Sequence, residues 1–125
     1  MTASENALRT TAIAAAAASD KLATDIVALD VSDRLAITDV FLVCSAANDR
    51  QVKAVVDAIE EALDRVDIDP VRREGEREGR WILLDYLDVV VHVQHVEERT
   101  FYGLERLWKD CPIIPLDLGP NHGER

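Results

Sequence analysis

Residues 80–108, RWILLDYLDVVVHVQHVEERTFYGLERLW, decide the fold. Two apolar runs, Trp81 to Tyr86 and Val89 to Val93, flank the short segment Asp85-Tyr86-Leu87-Asp88. Their β-branched and aromatic content favours extended chain buried on at least one face, so the order predicts a β-hairpin. Leu87 is its discordant residue, because a turn position with positive φ takes glycine or asparagine readily and leucine poorly. After Gln94 the period changes. Phe101, Leu104, Leu107 and Trp108 fall three and four apart and predict a helix with one apolar stripe, closed by Trp108, with Glu97 and Glu98 suited to its N-terminal dipole.

Outward from this stretch, the next most regular segment begins at Asn48. Asn48 and Gln51 resemble a capping box, and Val52, Val55, Val56, Ile59, Leu63 and Val66 keep helical spacing behind it. Ile26 to Val31 and Asp39 to Ser45 read as strands separated by a turn at Ser32-Asp33, and Val71 to Glu74 as an edge strand. Gly75 and Gly79 bracket a charged loop before Trp81. Residues 1–24 form an alanine-rich helix of the same domain, with Thr2 or Ser4 as N-cap; its weak apolar stripe predicts loose packing. Residues 25–112 make the body of the domain. Residues 113–125, with Pro115 and Pro120, read as a loose tail. Strands and helices that alternate before ending in a hairpin and a helix predict a single α/β domain, a mixed sheet packed with helices.

Composition narrows the function classes. The chain has 125 residues, 48% of them hydrophobic, enough for one core and too few for two domains. No apolar run approaches the roughly 20 residues that span a bilayer, and no secretory signal pattern is present, so a cytoplasmic protein without membrane contact is expected. A formal net charge of −10 repels polyphosphate and favours basic protein surfaces, which argues against direct nucleic-acid binding. Cys44 and Cys111 have neither disulfide density nor metal spacing and read as free thiols.

Catalytic and metal readings fare poorly. The glycines form no phosphate-cradling loop, and Cys44 and Ser45 have no base nearby in sequence. His92, His95 and Glu98 imitate a ligand series, but residues three apart in a strand point to opposite faces. Asp85 and Asp88, on either side of a turn, fit turn hydrogen bonding or partner contact better than a shared metal. Alternation separates Trp81, Leu83 and Asp85 from Ile82, Leu84 and Tyr86; one set belongs to the core. A large aromatic beside carboxylates suits an anchor for a basic partner. By pattern alone, Trp81 divides evenly between core and interface.

The run WILLDY-x-DVVVHV followed by H-x-EER-x-FY-x-LERLW resembles the ribosomal silencing factor family, also called Iojap-like or DUF143. DIVALDV at Asp25 to Val31, ITD at Ile37 to Asp39 and NDRQVKAVVDAIE at Asn48 to Glu60 agree, in order, between about Lys21 and Pro112. Three departures stand out: Leu87 where the family usually has glycine, Val96 where proline is common, and Ala46-Ala47 in a loop that often has a glycine. The resemblance implies a nucleotidyltransferase-like topology, here without the Gly-Ser turn or paired carboxylates of that catalytic motif. It also implies a binding function without cofactor, metal or catalytic residue. Family members dock on ribosomal protein L-fourteen of the large subunit and sterically block joining with the small subunit, repressing translation under nutrient limitation. Carried onto this chain, the partner-binding residues are Trp81 as anchor, Leu83 and Tyr86 for contact area, Asp85 and Asp88 for pairing with Lys or Arg, and His92 at the rim. Homodimerisation is compatible with the resemblance. The rival readings are a metal-dependent nucleotidyltransferase-like enzyme and a generic acidic homodimeric adaptor.

Overall fold

The computed structural model describes residues 2–75, 79–103, 106 and 108–118, the side chains of residues 100–102 aside. Along the chain run α1 (Glu5–Asp20), β1 (Thr24–Asp30), β2 (Val40–Ala46), α2 (Asp49–Asp64), β3 (Arg72–Glu74), β4 (Trp81–Asp85), β5 (Val89–His95), α3 (Val96–Tyr102) and β6 (Ile113–Ile114). The strands form one six-stranded sheet in the order β3-β4-β5-β2-β1-β6. Only the central β2–β5 pair is parallel; its neighbours pair antiparallel, so the sheet is mixed.

Both long helices cover the same face. α2 starts where Asn48 Oδ1 accepts the Gln51 amide at 2.9 Å, and Val52, Val55, Val56, Ile59 and Leu63 are fully buried along its stripe. Gln51 completes the box one residue further back than expected, accepting the Ala47 N–H at 2.7 Å. Its amide nitrogen donates to the Lys21 and Leu22 carbonyls, tying the α1 terminus to the start of α2. Val66, predicted to extend the stripe, lies beyond the helix and is exposed.

α1 is capped by the Ser4 hydroxyl, which accepts the Ala7 N–H at 3.1 Å. Its packing is the reverse of loose: Ala7, Thr11, Ala14, Ala15 and Ala18 are wholly buried. Small side chains weaken an apolar stripe on paper but let the helix backbone approach its neighbours closely, and they lose no rotamer entropy on burial. Two carboxylates moor the helix to the sheet. Asp30 Oδ2 accepts the Ala3 N–H and Asp39 Oδ2 the Ser4 N–H, each at 2.9 Å.

Two expectations are corrected. The tail does not begin at residue 113. β6 pairs with β1 through Ala28↔Ile114 and Leu29↔Ile113, and Ile114, Leu116 and Leu118 pack against the core. Alternate apolar residues around Pro115 suit an extended edge segment, where a missing N–H costs no ladder bond. Residues 119–125, including Pro120, lie outside the described residues. The last helix also does not run to Trp108 as one element. α3 ends at Tyr102 because Gly103 is left-handed at φ +56, and a side chain there would stand 2.5 Å from the Arg106 guanidinium. Trp108 lies in a turn. Leu104 and Leu107 lie outside the described residues.

The hairpin forms with Leu87 at φ +74. Asp88 N–H reaches back to the Tyr86 carbonyl at 3.0 Å, a tight turn centred on the leucine, and Tyr86 N–H bonds the Val89 carbonyl at 2.9 Å. What makes the leucine tolerable is Asp85, whose Oδ1 accepts the Leu87 N–H at 2.8 Å.

Candidate partner-binding face

The helices leave the opposite side of the sheet only partly covered, and the alternation of β4 decides what it shows. Ile82, Leu84 and Tyr86 point into the helix-side core; Trp81, Leu83 and Asp85 point the other way and are half-buried. Val90 and His92 of β5 and Phe41 and Val43 of β2 share that face. Register sets Leu83 opposite His92, and His92 beside Val43. At one end α3 closes the face, where Arg99 Nη1 donates to Ser45 Oγ at 2.8 Å. At the β1–β2 end a second small core covers it, formed by Leu29, Val31 and Cys111 with Leu35, Phe41 and Trp108. Between these covers lie Trp81, Leu83 and Val90.

His92 organises this centre. Trp81 Nε1 donates to His92 Nδ1 at 3.2 Å, and Phe41 stands edge-on to the imidazole, with ring centres 5.2 Å apart. Phe41 meets Trp108 in the same way, also at 5.2 Å, linking the two tryptophans through His92 and Phe41. An accepting Nδ1 puts the ring proton on Nε2, which is buried without a hydrogen-bond partner among the described residues. Burial pulls the His92 pKa down to about 4, so the ring is neutral at physiological pH. Only 6% of His92 is exposed, which replaces the expected rim contact with a bracing role: it holds the indole in one orientation.

The other candidate residues divide. Asp85 is sheltered, bonded to the Leu87 amide and 3.2 Å from Arg72 Nε. Asp88 is half-buried, and burial, then the neighbouring Asp39 carboxylate, pushes its pKa up. Its backbone carbonyl accepts the Asp39 and Val40 amides, joining the hairpin to the start of β2. Tyr86 does not join Trp81 and Leu83. It is 7% exposed in the helix-side core, and its hydroxyl has no hydrogen-bond partner among the described residues. Burial, with the Glu60 and Asp69 carboxylates nearby, raises its pKa.

The ligand series also resolves. His92 belongs to the open face, whereas His95, Glu97 and Glu98 bring one potential ligand atom each within 4.8 Å of one another. A cation already serves those carboxylates. The Arg80 guanidinium bonds Glu98 through Nε at 3.1 Å to both oxygens and Glu97 through Nη2 at 2.7 Å. This pairing lowers the Glu98 pKa and raises that of Arg80. His95 Nδ1 is taken by the Glu97 amide at 3.1 Å, capping α3. The group is thus a clasp between the start of β4 and the start of α3. Cys44 is buried and its thiol is pushed up to about 12, which leaves no thiolate for nucleophilic work.

Phe41, Val90 and Arg80 were missed in the sequence reading. Alternation within β2 and β5 would have found the first two, had the parallel pairing of those strands been known. Nothing local marks Arg80, since its partners lie 17 and 18 residues away.

A family model described as "Ribosomal silencing factor during starvation" matches residues 4–124. The chain is similar to a Bacillus subtilis protein named ribosomal silencing factor RsfS, 47% identical over 109 residues that cover 87% of this chain and 92% of that one. Its fold is similar to a crystal structure of a Chromobacterium violaceum protein, with TM-score 0.79, 33% identity and coverage of 82% of this chain and 85% of the other. A Bacillus halodurans structure gives a TM-score of 0.76 at 35% identity, covering 90% of this chain and all of that one. From the match along nearly all its length and from relatives this similar, the chain belongs to the ribosomal silencing factor family.

Proposed function

We propose that the Trp81–Leu83 face docks on ribosomal protein L-fourteen of the large ribosomal subunit, and that the bound protein sterically blocks the small subunit from joining. The reading rests on one observation: the uncovered centre of the sheet offers a half-buried tryptophan whose indole is fixed in advance by His92. A preoriented aromatic loses little freedom on docking, as anchors of protein interfaces require. Trp81 and Leu83 supply the apolar contact. Asp88 presents acid to a basic protein, while Asp85, engaged by the Leu87 amide and Arg72, holds the turn in place and Tyr86 supports it from the core side. The net charge of −10 favours a basic partner and opposes direct RNA contact. Such a protein acts in the cytoplasm, as a translational repressor under nutrient limitation, and by binding instead of catalysis. No described helix is long and apolar enough to cross a membrane. A homodimer built on the same face would compete with docking.

Gradient sedimentation tests the block. Large subunits incubated with the protein before small subunits are added should remain separate, and joined ribosomes formed at the level of the untreated control would reject the reading.

A further inference from the structure

At the tip of the hairpin, beside the proposed docking face, a surface hollow of about 350 Å³ is lined by Ile37, Thr38, Val71, Arg72, Asp85 and Leu87. Its apolar walls are unusually open to solvent: Ile37 is 70% exposed, Val71 60% and Leu87 53%. Leu87 carries two unfavourable features at once, an exposed apolar side chain and a left-handed backbone that a β-carbon disfavours. Glycine at this position would avoid both. Backbone strain clusters at binding sites and contiguous exposed apolar surface marks interaction sites, so the two together at the hollow point to a contact surface.

We propose that this hollow is a second apolar anchor point of the docking face, seating an apolar side chain of the basic ribosomal partner that is flanked by lysine or arginine. The inference rests on the docking reading above and extends it to the tip of the hairpin. Continuity supports it, because Asp85 belongs both to the Trp81–Leu83–Asp85 side of β4 and to the wall of the hollow. Charge selects the occupant. Arg72, the basic residue of the wall, is paired with Asp85 and Glu74, and Asp88 follows Leu87 directly. A second copy of a chain with net charge −10 would bring acid to acid, whereas a basic surface around an apolar side chain meets both features of the site.

The test compares Leu87→Gly, Ile37→Ser and Trp81→Ala for affinity to isolated large subunits, with thermal unfolding and self-association of each variant measured alongside. Leu87→Gly should leave thermal stability unchanged or raised, yet weaken binding about fivefold or more, the loss that marks an energetically important interface residue. Stability and affinity would then move apart, which a purely structural leucine would not produce. Ile37→Ser, which leaves the turn untouched, should weaken binding in the same direction. Wild-type affinity in both variants, beside a weakened Trp81→Ala, overturns the hollow and leaves the docking face standing. A change in self-association without one in subunit binding overturns it in favour of a contact between copies. Absence of wild-type binding to large subunits rejects the docking reading itself, and this inference with it.

Discussion

Asp85→Ala is the perturbation that probes the hairpin most sharply, because one carboxylate supports the turn on which the docking face depends. Its Oδ1 accepts the Leu87 amide at 2.8 Å, and its side chain is only 16% exposed, so water replaces that acceptor poorly. Losing a charge-assisted hydrogen bond in such a place costs about 1.5 kcal/mol. The ion pair to Arg72 adds ~0.5 kcal/mol at most, since the arginine is 65% exposed. Leu87 at φ +74 carries a further strain of ~1 kcal/mol that the bond helps to hold in place. The variant should therefore lose about 2 kcal/mol, a fall of ~1 M in the urea midpoint followed by tryptophan fluorescence. Coupling is the sharper readout. In a Leu87→Gly background the turn reaches its φ without strain, so losing the bond there releases none, and the cost of Asp85→Ala should be undiminished or larger, by up to ~1 kcal/mol. Asp85→Asn, which keeps an acceptor oxygen, should lose less than Asp85→Ala. A smaller cost of Asp85→Ala in the Leu87→Gly background than in the wild type, or a loss below ~0.5 kcal/mol for Asp85→Ala, would refute the account of the turn.

Three further outcomes are expected. His92 titrates near 4 when folded against 6.5 in its ordinary state, so the unfolded chain binds more protons between those values and stability is lost as pH drops from 6.5 towards 4, by roughly 3 kcal/mol at most; urea midpoints should show the slope, and His92→Gln should flatten it. Burial pulls the Asp30 pKa up, but hydrogen bonds from the Ser32 hydroxyl and the Ala3 and Ser32 amides outweigh it and hold it below the ordinary value. Its stabilisation is present above the unfolded pKa and lost as pH falls through the folded one, so Asp30→Asn should reduce acid sensitivity below about pH 4. Arg80→Ala opens the clasp on Glu97 and Glu98, and amide exchange across Val96–Arg99 should speed up while the β5 amides stay protected.

Where the hydrophobic period was long, the sequence was readable. The stripe of α2 from Val52 to Leu63 and the alternation of β4 survive into the structure, because each buries one continuous face in the same helix-side core. β6 was not readable: two residues ahead of Pro115 carry no period, and their pairing partner lies more than eighty positions earlier. The parallel pairing of β2 with β5 was equally hidden, and with it the placing of Phe41 next to His92. The candidate site shows the same division. Alternation alone separates Trp81 and Leu83 from Tyr86, and the structure follows alternation where the resemblance had grouped all three. Leu87 was visible as a misfit, but its remedy, the carboxylate two residues earlier, needed side-chain geometry.

Most directly, the account stands on binding of the purified protein to separated ribosomal subunits, with Trp81→Ala beside the wild type. It predicts that the wild type sediments with large and not small subunits, and that the folded variant binds at least about fivefold more weakly, as loss of a buried aromatic anchor demands. Equal affinity of the two proteins, with the variant's unfolding curve unchanged, would contradict it.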